Sequence, residues 1–145
     1  MQTDKKLAAG FVLFKIFDGV HKALCLYDNT GMGDMPKGRC DNSDLNVFFT
    51  AQRECFEETS IIVTRSDIIS QDPLLVGDHL VLFCAVTDQL VEIKKNPSSG
   101  KYEHAGFEWV DLRTLQKRLP AYLKPAVSWA QVILQQYLIL QDEGY

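Results

Sequence analysis

A chain of 145 residues, 46% hydrophobic and 23% charged, has the composition of one ordinary globular domain with one core, and a single domain over residues 1–145 is expected. No stretch approaches the roughly 18 uninterrupted apolar residues of a membrane span. The formal net charge of −4 argues against broad contact with a nucleic-acid backbone, which needs a basic face to displace counterions.

In chain order, Lys5 and Lys6 are read as solvated. Leu7 to Phe17 carries Lys15 and has no small-residue cleavage site after it, so it reads as a strand and not as a signal peptide. It is followed by Asp18-Gly19 and the apolar run Lys22 to Tyr27, a strand–turn–strand signal. Asp28 to Asp44, with Gly31, Gly33, Pro36 and Gly38, is a loop by composition. Leu45 to Thr59 reads as a helix capped by Asp41, Asn42, Ser43 or Asp44. Its apolar positions at helical spacing are Phe48, Ala51 and Cys55, with Phe49 and Phe56 beside them.

Ile61-Ile62-Val63 is a short strand candidate. Leu74 to Val86 is a strand region interrupted by Gly77-Asp78-His79, hence two strands or one with a bulge, and Val91 to Lys95 could extend it. Asn96 to Gly100 is a loop and Phe107 to Val110 a strand. Asp111 can cap a short helix, Leu112 to Leu119, which Pro120 ends. A final helix, Leu123 to Gln141, has Pro125 in its first turn and an apolar stripe of Val127, Ala130, Ile133, Leu134, Tyr137, Leu138 and Leu140 read as core. Strands, loop, helix, strands and helix in that order fit an α/β class, a mixed sheet packed between helices. Cys25, Cys40, Cys55 and Cys84 form no C-x-x-C pair, which argues against zinc and for reduced thiols in a cytoplasmic protein.

The chemistry concentrates in Arg53-Glu54-Cys55-Phe56-Glu57-Glu58. Carboxylates at i, i+3 and i+4 project from one helix face, where like charges repel. Such a cluster requires compensation by cations or by a metal ion, and oxygen-only ligands suit magnesium or manganese. Before the helix lies Met35-Pro36-Lys37-Gly38-Arg39. Its glycine permits close backbone approach to a ligand, and its two cations suit a phosphate. Alone, each element also suits a solvated surface; in this order and spacing they point to a phosphate site.

Gly38 to Ile61 resembles the Nudix box, G-x5-E-x7-R-E-U-x-E-E-x-G-U with U aliphatic. Gly38, Arg53, Glu54, Glu57, Glu58 and Ile61 match. Asp44 falls at the first glutamate; one extra residue before Arg53 leaves Asp41 as an alternative for part of its role. Cys55 stands at an aliphatic position, and Ser60 replaces the last glycine, a change expected to cost little where the backbone is relaxed. The resemblance implies the Nudix α/β/α sandwich and magnesium-dependent hydrolysis of a pyrophosphate bond in a nucleotide. It implies Glu54, Glu57 and Glu58 as metal ligands, one of them able to act as base, and Arg53 as the partner of a box carboxylate, Glu57.

A second segment, Lys101-Tyr102-Glu103-His104-Ala105-Gly106-Phe107-Glu108-Trp109, resembles the asymmetrical diadenosine tetraphosphate hydrolases. That likeness implies Glu103 as a further metal carboxylate and cleavage of diadenosine tetraphosphate to ATP and AMP. No tyrosine stands between Ile61 and Tyr102, where that group carries one. Lys37, Gly38, Arg39, Tyr102 and His104 are the substrate-binding candidates. Tyr102 and Phe107 can stack on a base, Phe107 and Trp109 can equally pack in the core, and His104 is an acid–base or a structural loop histidine. His21 and His79 read as surface or structural. Rival substrates are a nucleoside triphosphate, a nucleotide sugar, a diphosphoinositol phosphate or a capped RNA end; a Nudix-fold binding module without catalysis is a further alternative. The chain is expected to act as a monomer or small homo-oligomer.

Overall fold

The computed structural model describes residues 7–142; Lys5 and Lys6 lie outside them. A sheet in the order β3-β2-β1-β6-β5, with β4 pairing β1 and β7 pairing β2, is built from β1 (Ala8–Phe17), β2 (Val20–Tyr27), β3 (Gly33–Asp34), β4 (Lys37–Arg39), β5 (Leu74–Val76), β6 (Leu80–Val86) and β7 (Gly106–Val110). β1 runs parallel to β6 and antiparallel to β2 and β4, so the sheet is mixed as expected. Helix α1 (Val47–Thr59) covers one face; α2 (Leu112–Arg118) and α3 (Lys124–Asp142) cover the other.

The central strands are apolar without interruption because both their faces are buried. Along β1 the period-two alternation sends Ala9, Phe11 and Leu13 to the α1 side and Val12 and Phe14 to the α3 side. On the α1 side the Phe48 ring meets Phe11 edge-on at 6.1 Å and Phe83 at 5.3 Å. Full burial of such a ring contributes about 2–3 kcal/mol, and this cluster fixes α1 on the sheet. Asp18 and Gly19 both adopt positive φ, 49° and 80°, the conformation a tight hairpin turn requires.

Several expectations are corrected. The composition-based loop between Asp28 and Asp44 contains β3 and β4, because β1 changes partner along its length and leaves its first residues for Lys37–Arg39 to pair with. Pro36 O accepts the Phe11 N–H at 3.0 Å at that changeover. Of the two alternatives for Leu74 to Val86, two strands are found, with Gly77 at φ 61° between them. Ile61 to Val63 forms no strand, although Ile61 and Val63 are buried and Ile62 is exposed. The Gln89 side-chain amide takes the place of a neighbouring strand, accepting from Ile62 N at 2.9 Å and donating to Ile62 O at 2.7 Å. Val91 to Lys95 likewise stays outside the sheet. The stripe on α3 is core as far as Leu134: Val127 and Ala130 are buried and Ile133 and Leu134 pack half-buried against the same core, whereas Leu138 and Leu140 are exposed. Among the described residues, no helix is long and apolar enough to cross a membrane.

Candidate active site

α1 begins at Val47, two residues after the expected Leu45. Its cap is Asn46, whose side chain accepts from Phe49 N at 2.8 Å. Asp41 and Asp44 are not available as caps, since the Asp44 carboxylate accepts from Asp41 N and Asp41 from Ser43 N. Phe48, Ala51 and Cys55 face the core as expected, while Phe49 and Phe56 remain exposed. Glu58 is buried as well. Glu54 lies directly over Gly38 of β4: a Cβ at Gly38 would collide with the Glu54 carboxylate. Gly38→Ala is therefore expected to displace Glu54, costing about 1–3 kcal/mol of stability as well as activity. Equal melting temperature and turnover in the variant would show that this close approach is not needed.

Arg53 organises the charges. Its Nε and Nη2 form a fork on Asp44 at 3.0 and 2.9 Å, and Nη1 reaches Glu54 at 2.8 Å and Glu57 at 3.2 Å. Nη2 also donates to Arg39 O at 3.0 Å. Arg53 thus pairs with Glu57, as the box resemblance implied, but its forked partner is Asp44, which meets it with two oxygens. Asp44 is closed from solvent, its side chain 2% exposed, and accepts Thr50 Oγ1 at 2.7 Å. The guanidinium holds the Asp44 carboxyl well below the usual carboxylate range. Between the alternatives, Asp44 and not Asp41 meets the helix, so the extra residue is absorbed in the turn ahead of Asn46.

Glu58 has the opposite environment. Burial, and then the negative charges of Glu54, Asp34 and Glu103, push its carboxyl well above the ordinary range. Its Oε1 is buried without a hydrogen-bond partner. Burial also raises Glu54, against the opposing pull of Arg53. Glu54, Glu57, Glu58, Lys94, Asn96, Glu103 and His104 line one small cavity, and the Asn96 amide donates to Glu103. Among the described residues, no three Asp, Glu, His or Cys groups are already drawn together as ligands of one ion.

His104, also buried, places Nε2 at 3.3 Å from Asp34 Oδ2 and Nδ1 at 3.9 Å from Glu58 Oε1. Lys37 Nζ pairs with Asp34 at 3.1 Å. A cleft of about 600 Å³ opens beside β4, lined by Ala8, Lys37, Gly38, Arg39, His79, Leu80 and Tyr122. His79 and Tyr122 were not expected here, and neither was Asp34. Nothing in the local pattern marks them: His79 and Tyr122 come from segments far along the chain, and Asp34 stands on β3, three residues before Lys37. Tyr102 is exposed outside this lining, with the Lys95 ammonium 5.8 Å from its ring. Phe107 is 40% exposed, whereas Trp109 packs half-buried with its ring 5.9 Å from Phe17.

Ser60 occupies the left-handed conformation, φ 68° and ψ 2°, as the C-cap of α1. The condition for a small cost is not met: this is a glycine position, and a side chain there costs on the order of 1 kcal/mol. The Ser60 hydroxyl recovers part of it by donating to Glu92 O at 3.0 Å. Ser60→Gly is expected to raise stability by about 0.5–1 kcal/mol. A thermal melt showing a lower midpoint would mean that the Glu92 bond outweighs the strain.

Compared with known proteins, residues 6–130 match a family model described as the NUDIX domain. No curated protein matches the chain. Among solved structures the chain is similar to a Caenorhabditis elegans Ap4A hydrolase in a binary complex, with a TM-score of 0.68 and 20% identity over 91% of this chain and 99% of that one. It is similar to the NUDIX domain of Shewanella oneidensis NrtR complexed with ADP ribose, with a TM-score of 0.65 and 19% identity over 96% and 90%. An Escherichia coli dihydroneopterin triphosphate pyrophosphohydrolase gives 0.62 and 15% over 89% and 95%. At such identities the likeness establishes the fold.

Proposed function

Because the chain belongs to the Nudix family, we propose that it hydrolyses a pyrophosphate bond in a nucleotide, with diadenosine tetraphosphate cleaved to ATP and AMP. The observation that carries the reading is the unpartnered buried oxygen of Glu58, beside Glu54 packed over Gly38. A buried carboxylate oxygen without a donor destabilises a fold unless a ligand completes it. The donor set fits a hard divalent cation, because Glu54, Glu57, Glu58 and Glu103 around one cavity offer oxygen alone. Magnesium, or manganese, would be held by these four and would supply the positive charge that neutralises phosphate oxygens and acidifies the attacking water.

The chain's own residues supply the rest. Glu58, with its raised affinity for a proton, takes the proton of the attacking water at Oε1 as the water oxygen bonds to phosphorus. The bond from phosphorus to the bridging oxygen breaks, and its electron pair leaves on the departing phosphate. Arg53 keeps Glu54 and Glu57 oriented. Lys37 and Arg39 in the cleft face the polyphosphate, and the cleft's volume suits one nucleoside with its phosphates. Tyr102, exposed outside the cleft, offers a ring face for a base, and His104 stands buried behind Glu58. The choice of dinucleotide is supported by the Glu103-His104 segment with its Phe107-x-Trp109 continuation and by the shared fold with an Ap4A hydrolase.

Chromatography of products after incubation with diadenosine tetraphosphate and magnesium tests it. ATP plus AMP is expected. Two ADP would reject asymmetrical cleavage. Turnover of a nucleoside triphosphate, nucleotide sugar, diphosphoinositol phosphate or capped RNA alone would replace the substrate. No turnover of any would favour a binding module.

A further inference from the structure

Of the four glutamates around the small cavity, Glu103 is the one held neither by packing nor by Arg53. Glu54, Glu57 and Glu58 stand on α1, where Glu58 is buried, and Arg53 pairs with Glu54 and Glu57. Glu103 lies on the loop before β7 and is exposed. Its side chain has one hydrogen-bond partner among the described residues, the amide of Asn96. That amide is oriented from the other side. Asn96 Oδ1 accepts the N–H groups of Ser98 at 2.8 Å and Ser99 at 3.2 Å. Two N–H donors on one atom identify it as the oxygen, so the group facing Glu103 is the NH₂, which donates to Oε1. The backbone fixes Asn96 in turn. Its N–H donates to Lys101 O at 2.7 Å, its carbonyl accepts the Gly100 N–H at 2.8 Å, and Lys95 bridges Tyr102. Asn96 to Gly100 is thus a closed turn that returns the chain to Glu103. Resting on the metal site of the proposed hydrolysis, we propose that Asn96 is a positioning residue: through its amide N–H on Oε1 it holds the Glu103 carboxylate in place for the divalent cation.

The effect is one of conformational entropy. An exposed glutamate samples several rotamers, and a bound cation freezes them. A side chain already held by a hydrogen bond loses less on binding. Outer partners that orient a metal ligand typically contribute about 10–100-fold in metal affinity. No contact between Asn96 and the cation or the substrate is required for that effect.

Manganese binding tests the assignment, with the free ion measured by electron paramagnetic resonance and no substrate present. Asn96→Ser keeps a side-chain oxygen for the turn and removes the amide donor. It is expected to weaken manganese binding about tenfold. Glu103→Gln is expected to weaken it at least as much. The double variant is expected to bind no more weakly than Glu103→Gln alone, because Asn96 acts only through Glu103. Unchanged affinity in Asn96→Ser, or in Glu103→Gln, overturns the proposal. Losses that add in the double variant overturn it as well, since they would mean that Asn96 serves the loop and not the carboxylate. No turnover is read here. A protein that binds manganese in the expected pattern but cleaves none of the nucleotides therefore sustains the positioning role and rejects hydrolysis alone, whereas a wild type that binds no manganese rejects both.

Discussion

Glu58→Gln is expected to leave a folded protein whose turnover is lower by about 10²–10⁴-fold. Glutamine has the same shape but takes no proton and ligates a hard cation weakly. Stability should move the other way. Glu58 is 6% exposed, without a partner for Oε1, and repelled by Glu54, Asp34 and Glu103. A neutral amide there removes the repulsion, so in metal-free buffer near neutral pH the variant should melt at the same temperature as the wild type or higher. The pH dependence follows from the raised folded-state value. Glu58's contribution to stability is fully present below its ordinary value of 4.5 and is lost as pH rises through the raised value in the folded state. The wild type should therefore weaken relative to the variant as pH climbs from about that point toward neutrality. Steady-state kinetics and melts across that range test both halves; full turnover in the folded variant would remove Glu58 from the chemistry.

Arg53→Met is expected to produce the largest loss of stability at the site, about 3 kcal/mol or more, or on the order of 10 °C in melting temperature for a domain of this size. The loss arises from Asp44, whose side chain is 2% exposed and would keep only the Thr50 hydroxyl and the Asp41 N–H. Adding Asp44→Asn should restore part of the stability, because the uncompensated buried charge disappears. Activity should fall in both variants, since Glu54 and Glu57 lose their shared partner. Asp44's folded value is depressed, so its contribution is present above its ordinary 3.8 and is lost as pH falls through the lowered value. Acid denaturation of the wild type below that point should thus be blunted in Arg53→Met, as denaturant melts between pH 2 and 5 would show. Equal stability of Arg53→Met and wild type at neutral pH would contradict the buried clamp.

The two variants separate chemistry from architecture. On the proposed function, Glu58 costs the fold something and acts in the chemistry, whereas Arg53 and Asp44 stabilise the fold and act through the carboxylates that Arg53 holds. This follows from which charges are paired: Asp44 is closed in by four donors, while Glu58 has only the distant His104 ring.

What the amino-acid order determined by itself was set by short-range physics. The strand Ala8–Phe17, the Asp18-Gly19 turn, and the helix Val47–Thr59 with Phe48, Ala51 and Cys55 on one face and Glu54, Glu57 and Glu58 on the next follow from strand and helix periods and from local backbone preference. So do the Asp111 cap and the place of Pro125 in the first turn of the last helix. The tertiary structure alone decided which charge met which. Asp41 and Asp44 look like caps in a one-dimensional reading, but one satisfies its own loop and the other is taken by Arg53. Ser60 is strained because the helix must turn sharply into Ile61. Asp34, His104 and Glu58 come from β3, the loop before β7 and α1; their contacts join residues far apart in the chain, which no periodicity encodes. Periodicity specifies the face a residue occupies, whereas the charges beside it, its burial and its affinity for a proton are set by elements that arrive from elsewhere.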